Sequence, residues 1–463
     1  MSPCTISSHY PVAIVGGGVA GLTLALGLEA QGIIHYVLIE AHDSLAPDEG
    51  ASIGLLPNGL RIFDQLGLID EIEKHTSPLQ RWRHLDGEGE LISETNALGY
   101  YPSQIGYGGL FLERRKLLQI MTNKLKNHGA IITSTRVSSL EETTENVALK
   151  LSGGSYITAD IVIGADGVRS RVREEIDRSQ PGPSVHSDDY INVRFACVYG
   201  ISPPIDGISE GECFSVYRPE AAILIFTGQA GIIFWFVFED LGQTYELSKS
   251  PRYTKADIDS VCQSVAHLRI SSTVCFGDVY TRRSVAMKVS LEEGVAPTWH
   301  SHRMVIVGDA AHKSTPNAAM GANQAIESAT VLLNELQGVW NKPEEEILSS
   351  NIFHDAFGRY AERRKPRTGM IVQRAGITCR AQLGHDGPVA AVRQELPSLT
   401  DDDWLFRGFM GFSDSPVLAG VPLSPRGEFF HQAVEQFQER FRARQNGQLK
   451  VSNSGLFGNQ TQA

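Results

Sequence analysis

Apolar residues fill every position from Pro11 to Val15 (PVAIV), and the run stops on three glycines. A short, unbroken, β-branched run predicts a strand buried on both faces. Leu22 to Ala30 follows as a helix, and Tyr36 to Ile39 as a second strand ending at Glu40. The same texture returns at Tyr156–Ile163, ahead of Gly164-Ala165-Asp166-Gly167, and at Met304–Val307, ahead of Gly308-Asp309. Helical periodicity marks Asn58–Leu66 with Gly67 as its stop, and Leu112–Leu125 with Leu117, Leu118, Met121 and Leu125 as its apolar face. Ala318–Leu336 reads as a long helix and Asn351–Lys365 as another, ended by Pro366.

Between about Arg178 and Thr298 the pattern changes to strands: Ile191–Gly200, Cys213–Arg218, Ala222–Phe226, Ile232–Phe238 and Val279–Met287. Residues 75–110 are mixed and Gly/Tyr-rich, with strand-like pieces at Trp82–Leu85 and Glu90–Ile92, and DSLAPDEGASIGLLPNG after Glu40 reads as a loop. These changes predict an α/β fold: a Rossmann-like dinucleotide domain, an inserted antiparallel-sheet domain, and a C-terminal helical tail. The expected boundaries are 1–74, 111–177 and 299–384 for the first, 75–110 and 178–298 for the second, and 385–463 for the tail. The last residues, from about Gln445, read as disordered.

Length and composition fit this division. A chain of 463 residues is too long for one compact core, and 42% hydrophobic with 20% charged residues is ordinary for a globular protein. A net charge of −12 argues against a nucleic-acid partner. The one dense basic patch, Arg359–Arg367 (RYAERRKPR), reads as a solvated helix face. Six scattered cysteines without a C-x-x-C pair read as reduced thiols of a cytoplasmic protein, and no Cys/His cluster suggests a metal. No secretory signal and no transmembrane run is visible; the apolar stretch Ile223–Phe238 is broken by Gly228, Gln229 and Gly231 and reads as a hairpin. Contact with a membrane surface stays open, as does the oligomeric state.

The chemistry begins at Gly16-Gly17-Gly18-Val19-Ala20-Gly21, which fits the G-x-G-x-x-G spacing between a strand and a helix. Gly16 permits the tight turn, Gly18 lets a pyrophosphate approach the backbone, and Gly21 lets helix and strand pack closely. The helix start offers unpaired N–H groups and a positive dipole end to the same pyrophosphate. Glu40 lies at the offset where an acid accepts hydrogen bonds from an adenosine ribose. An ADP-containing cofactor follows; the fingerprint alone leaves NAD and FAD open.

Three motifs in order, GGGVAG with Glu40, then Gly164-Ala165-Asp166-Gly167, then Gly308-Asp309-Ala310-Ala311-His312 with Pro316 and Gly321-Ala322-Asn323-Gln324-Ala325-Ile326-Glu327, resemble the class A FAD-dependent monooxygenases of the p-hydroxybenzoate hydroxylase type. The resemblance covers roughly residues 11 to 370. It implies that FAD is the cofactor and NAD(P)H the co-substrate. Glu40 would bind the adenosine ribose, and Gly54 and Arg114 would lie along FAD, Arg114 near the pyrophosphate. Asp309 would accept from the ribityl hydroxyls, and Ala322 would turn a backbone N–H at a helix start toward the flavin pyrimidine oxygen. Asp166 would be shared between FAD and the transient NAD(P)H. In this family NAD(P)H reduces FAD, O₂ adds at the flavin C4a position, and the resulting hydroperoxide passes one oxygen to an apolar or phenolic small molecule.

On the substrate side, Tyr217 in CFSVYRP lies where some members direct a hydroxyl toward the substrate, and Arg194 in INVRFACVYGIS is a charge in an otherwise apolar strand. Both are catalytic candidates. The LERRKLLQIM, ACVYGIS and WFVFED stretches are similar to fungal monooxygenases of meroterpenoid, indole-terpenoid and polyketide pathways, which epoxidise prenyl alkenes or hydroxylate aromatic rings. Many of those carry apolar C-terminal spans, whereas residues 385–463 here keep charges and prolines throughout. A flavin oxidase or dehydrogenase, or a flavin-fold binding protein without turnover, remains the alternative.

Overall fold

The computed structural model describes residues 6–48, 50, 52–182, 185–342 and 351–445. Cys4 and the disorder expected after Gln445 lie outside them. In chain order the first half contains β1 (Ile6–Val15), α1 (Val19–Ala30), β2 (Tyr36–Ile39), β3 (Ser52–Leu55), α2 (Pro57–Gln65), α3 (Ile69–Glu73), β4 (Arg81–Leu85), β5 (Leu91–Thr95), α4 (Ala97–Ile105), β6 (Leu110–Glu113) and α5 (Arg114–Lys124). Then come β7 (Ile131–Ile132), β8 (Val137–Glu142), β9 (Val147–Leu151), β10 (Tyr156–Gly164) and α6 (Arg171–Ser179). The second half holds β11 (Ile191–Ser202), β12 (Glu212–Val216), β13 (Ala221–Thr227), β14 (Ile233–Glu246), α7 (Lys255–Ser264), α8 (Phe276–Thr281), β15 (Val285–Val295), β16 (Met304–Ile306), β17 (His312–Lys313) and α9 (Gly321–Trp340). After it come α10 (Asn351–Gln382), α11 (Ala390–Glu395), α12 (Asp401–Phe412) and α13 (Pro425–Gln445).

The first sheet runs in the order β7-β2-β1-β10-β9-β8, with β16 also on β10. Its β7, β2, β1, β10 and β16 pair in parallel. The long β10 forks: Tyr156–Ala159 pairs antiparallel with β9, and Val162–Gly164 pairs with β16. The apolar runs behave as a parallel sheet requires, since Val12–Ile14, Ile161–Ile163 and Met304–Ile306 are fully buried. Helix α1 is apolar all round because it lies between this sheet and α9, with Gly27 against Leu333.

The second sheet has eight strands in the order β17-β15-β11-β14-β13-β12-β4-β5. Its two faces serve different cores. Val198, Trp235, Val237, Ile223 and Ile225 point to a smaller cluster with Val261, Phe276, Val279 and Tyr280 from α7 and α8. The opposite face looks toward the first sheet.

Four local expectations change. Ser52–Leu55 is a strand on β6 rather than loop. Val279 belongs to α8, because Phe276, Val279 and Tyr280 at helical spacing bury against Trp235, and β15 starts only at Val285. The helix from Asn351 passes through Pro366 to Gln382. Pro366 removes the bond to the Glu362 carbonyl, a cost of about 3 kcal/mol, yet Arg364 and Arg367 on either side are locked into Glu327 of α9. For the same reason the basic patch is not simply a solvated face: Arg359 and Arg363 meet Glu335 at the surface, while Arg364 and Arg367 are buried. Among the described residues no helix is long and apolar enough to cross a membrane.

Candidate functional site

The turn after β1 builds one end of the site. Gly16 sits at φ +103°, and its N–H donates to the Ile39 carbonyl at 2.8 Å. A Cβ at Gly21 would lie 1.9 Å from the Gly16 carbonyl oxygen, so the helix start presses directly on the turn. Gly18 caps α1 without any side-chain bond, and a Cβ there would meet only Arg114, at 3.9 Å. The first amides of α1 therefore face open space beside a guanidinium. Arg114 opens α5 directly after β6, and no hydrogen bond or ion pair ties it down among the described residues.

Glu40, at the end of β2, accepts the Gly17 N–H at 2.6 Å and the His42 N–H at 2.9 Å, and contacts His42 Nδ1 at 2.8 Å. Burial pushes its pKa up, but these donors outweigh it and hold the carboxylate below its ordinary range. The sequence singled out Glu40 but not the two donors.

Asp166 follows β10. It accepts the Ser170 hydroxyl at 2.5 Å, the Arg171 N–H at 2.7 Å and the Val172 N–H at 3.3 Å, so it caps α6 while bordering the cavity. Burial outweighs these donors and leaves its pKa raised. Asp309 follows β16 and pairs at 2.5 Å with Lys313 of the short strand β17. Burial raises its pKa, yet Lys313 first, with Arg114 adding to it, turns the net shift downward. Lys313 was missed in the sequence, because it lies on the short strand β17, where its spacing from Asp309 predicts no pairing.

Helix α9 begins at Gly321 and Ala322 with no side-chain cap, so its first amides open onto the same space. Asn323 fixes that start. Its Oδ1 accepts the Leu56 N–H at 3.0 Å, and its Nδ2 donates to the Gly54 carbonyl at 3.1 Å and the Ala319 carbonyl at 2.8 Å. Gly54 is thereby tied to α9, with Phe111 and Ala319 close around it.

Gly16, Gly18, Glu40, Gly54, Arg114, Asp166, Asp309 and Ala322 all border one cavity of about 1910 Å³; Gly21 lies behind the turn and supports it. That is well above the roughly 300–1,000 Å³ of a single small-molecule site, so there is room for a dinucleotide and a second ligand. The donor set suits FAD: two open helix starts and a guanidinium for anionic and carbonyl oxygens, two carboxylates for hydroxyls.

The far wall is the second sheet. Cys197 and Tyr199 (β11), Leu224 and Phe226 (β13), Phe236 and Phe238 (β14), and Met287, Val289 and Leu291 (β15) line it. They alternate along each strand and match across strands: Val289 and Phe238 flank Cys197, and Met287 and Phe236 flank Tyr199, with Leu224 beyond Phe236. Phe226 stacks on Phe111 at 4.1 Å between centroids and 7° between planes.

Neither catalytic candidate is on this lining. Arg194 sits at a register break in β11 and holds Asp240 at 2.7 Å, which also meets His385 at 2.8 Å. Tyr217 follows β12, buried, with its hydroxyl 3.2 Å from His84 Nδ1, and burial pushes its pKa up. His84, whose ring stacks on Trp82 and Trp404, was not anticipated.

Residues 9–375 match the FAD binding domain family. The chain is similar to the FAD-dependent monooxygenase atmM of Aspergillus flavus, 34% identical over 90% of this chain and 88% of that protein. It is 37% identical to the FAD-dependent monooxygenase andE of Emericella variicolor, over 81% of this chain and 80% of that one. Among solved structures, Klebsiella pneumoniae HpxO complexed with FAD and uric acid superposes with a TM-score of 0.72 at 20% identity, covering 88% of this chain and 97% of that chain. A salicylate hydroxylase substrate complex superposes at 0.65 and 20% identity, covering 89% and 99%.

Proposed function

The chain belongs to the FAD binding domain family of FAD-dependent monooxygenases, and from that premise we propose that it uses NAD(P)H and O₂ to insert one oxygen atom into an apolar or phenolic small molecule of fungal secondary metabolism. The product is an epoxide of a prenyl alkene or a ring-hydroxylated aromatic. The observation that supports this reading is the largely aliphatic and aromatic wall of the second sheet, with Lys288, Ser290 and Glu292 as its polar members, facing the dinucleotide cradle across one cavity.

FAD, when bound, supplies the redox chemistry and activates O₂. The chain's own residues bind, orient and keep water out. The open amides of α1 and the Arg114 guanidinium would take the pyrophosphate, Glu40 the adenosine ribose, and Asp309 the ribityl hydroxyls. The amides of Gly321 and Ala322 would meet the pyrimidine carbonyl oxygen and favour the negative charge that accompanies reduction. The wall from Cys197 to Leu291 would hold an apolar substrate and exclude water, so that reactive oxygen is transferred rather than released.

The purified protein is expected to show flavin bands near ~370 and ~450 nm that bleach with NADPH under argon and return with O₂. A colourless protein that takes up no FAD overturns the reading, and stoichiometric H₂O₂ with no oxygenated product would favour an oxidase. Glu40→Gln is expected to weaken FAD binding by about ten- to a hundredfold, since bonds to a charged group are worth roughly 1.5–3 kcal/mol, as measured by titrating the apoprotein with FAD. Leu224→Trp is expected to leave the flavin spectrum unchanged. With a prenylated phenol as probe, it should cut product formation at least about tenfold by filling the wall.

A further inference from the structure

Directly behind the first turn of α9 lies a set of charges that the proposed reaction does not use. Glu327 is fully buried, and two arginines of α10 converge on it: Arg364 Nη1 at 2.8 Å and Arg367 Nε at 2.7 Å, with Arg367 Nη2 at 2.8 Å on the other oxygen. Asn58 Nδ2 adds a fourth donor at 2.6 Å. Arg364 and Arg367 are 2% and 8% exposed, so water screens neither. One carboxylate against two guanidinium groups leaves one positive charge uncompensated inside the triad. Asp414, whose charge also acts on Arg367, is exposed and compensates it weakly.

This surplus is close to the open helix start. Arg364 Nη2 reaches Gln324 Oε1 at 2.7 Å, only two residues beyond Ala322. From Ala322 to Glu327 the helix rises about 8 Å. The neighbouring His312 does not add charge, because burial holds its pKa down at about 3; its Nε2 meets Ser328 Oγ, which Arg364 Nε also reaches.

We propose that the buried Arg364–Glu327–Arg367 triad is a positioning and tuning element that reinforces the positive end of α9 and makes the FAD held there easier to reduce. The inference rests on the reading above, in which the flavin ring lies at Gly321 and Ala322. A full charge on the order of 10 Å away in a weakly screened interior shifts an equilibrium that creates one negative charge roughly tenfold. A helix dipole alone acts with about half a charge.

The test is the two-electron midpoint potential of the holoenzyme, measured by dye equilibration. Arg364→Met removes a positive charge and is expected to lower the reduction equilibrium about tenfold, or ~30 mV. Glu327→Gln keeps the shape, removes the negative charge, and is expected to raise it by a similar factor. Both variants lose stability, so damage to the fold predicts no such opposition of sign. Arg364→Lys keeps the charge and is expected to hold the wild-type potential while lowering the unfolding temperature. If Arg364→Met does not retain FAD, Arg367→Met carries the same expectation. Potentials that stay put, or move the same way in Arg364→Met and Glu327→Gln, overturn the inference and leave the triad a structural clasp. Wild-type protein that binds no FAD instead overturns the reading on which it rests.

Discussion

Gly21→Ala is expected to yield protein without bound FAD and less stable by at least about 3 kcal/mol, the upper range for overpacking. The added Cβ would lie 1.9 Å from the Gly16 carbonyl oxygen and 3.1 Å from its carbon. Both atoms are backbone, so no rotamer change relieves the clash. Gly16 cannot retreat either. It is held at φ +103° with its N–H on the Ile39 carbonyl, and its own Cβ direction is blocked 2.4 Å away by the Ala165 carbonyl. The strain would open the turn, and the amides of α1 would no longer converge. Gly153→Ala provides the control, since nothing lies within 4 Å of its Cβ. The ratio of flavin to protein absorbance and the unfolding temperature read both effects; a Gly21→Ala protein with full FAD occupancy would show that the turn is not the cradle.

Glu327→Leu is expected to cost about 3–5 kcal/mol, the usual consequence of stranding buried charge by removing its partner. Arg364 and Arg367 would each lose their carboxylate, and Asn58 Nδ2 an acceptor. Denaturant unfolding measures it. The triple variant Glu327→Leu/Arg364→Met/Arg367→Met is expected to recover most of the loss, because an apolar set of similar volume needs no desolvation. The wild-type protein should also show the matching acid limb. Burial raises the Glu327 pKa, but Arg367 and Arg364 overcome it and bring it from 4.5 to about 2. A depressed folded-state pKa gives stability that is fully present above about pH 4.5 and is lost as pH falls toward 2. That part of the pH profile should be missing in the triple variant.

The dinucleotide half of the site was legible because its signals are local. Gly16, Gly18, Gly21 and Glu40 sit within one strand–turn–helix–strand unit, and Asp166, Asp309 and Ala322 each stand where a parallel strand ends or a helix begins. Backbone period and turn chemistry place such residues without knowledge of distant partners. The substrate half was much less legible. Arg194 attracted notice as a charge in an apolar strand, but whether it faces a ligand depends on Asp240, 46 residues further on, and on a bulge that no periodicity announces. Tyr217 lies one residue past β12, where strand alternation no longer says which way a side chain points.

The sequence by itself carried the fold class, and through three motifs that resemble a known family the cofactor FAD, because buried parallel strands, glycine turns and acids at strand ends are encoded over a few consecutive residues. Only the tertiary structure decided what faces the dinucleotide cradle. The apolar wall arises from four strands whose side chains meet by cross-strand register. The two buried arginines that flank Pro366 are tolerated because Glu327, some 40 residues earlier, is there to pair with both. Side-chain burial and charge pairing are properties of the folded neighbourhood, and a linear pattern carries them only where the neighbourhood is itself local.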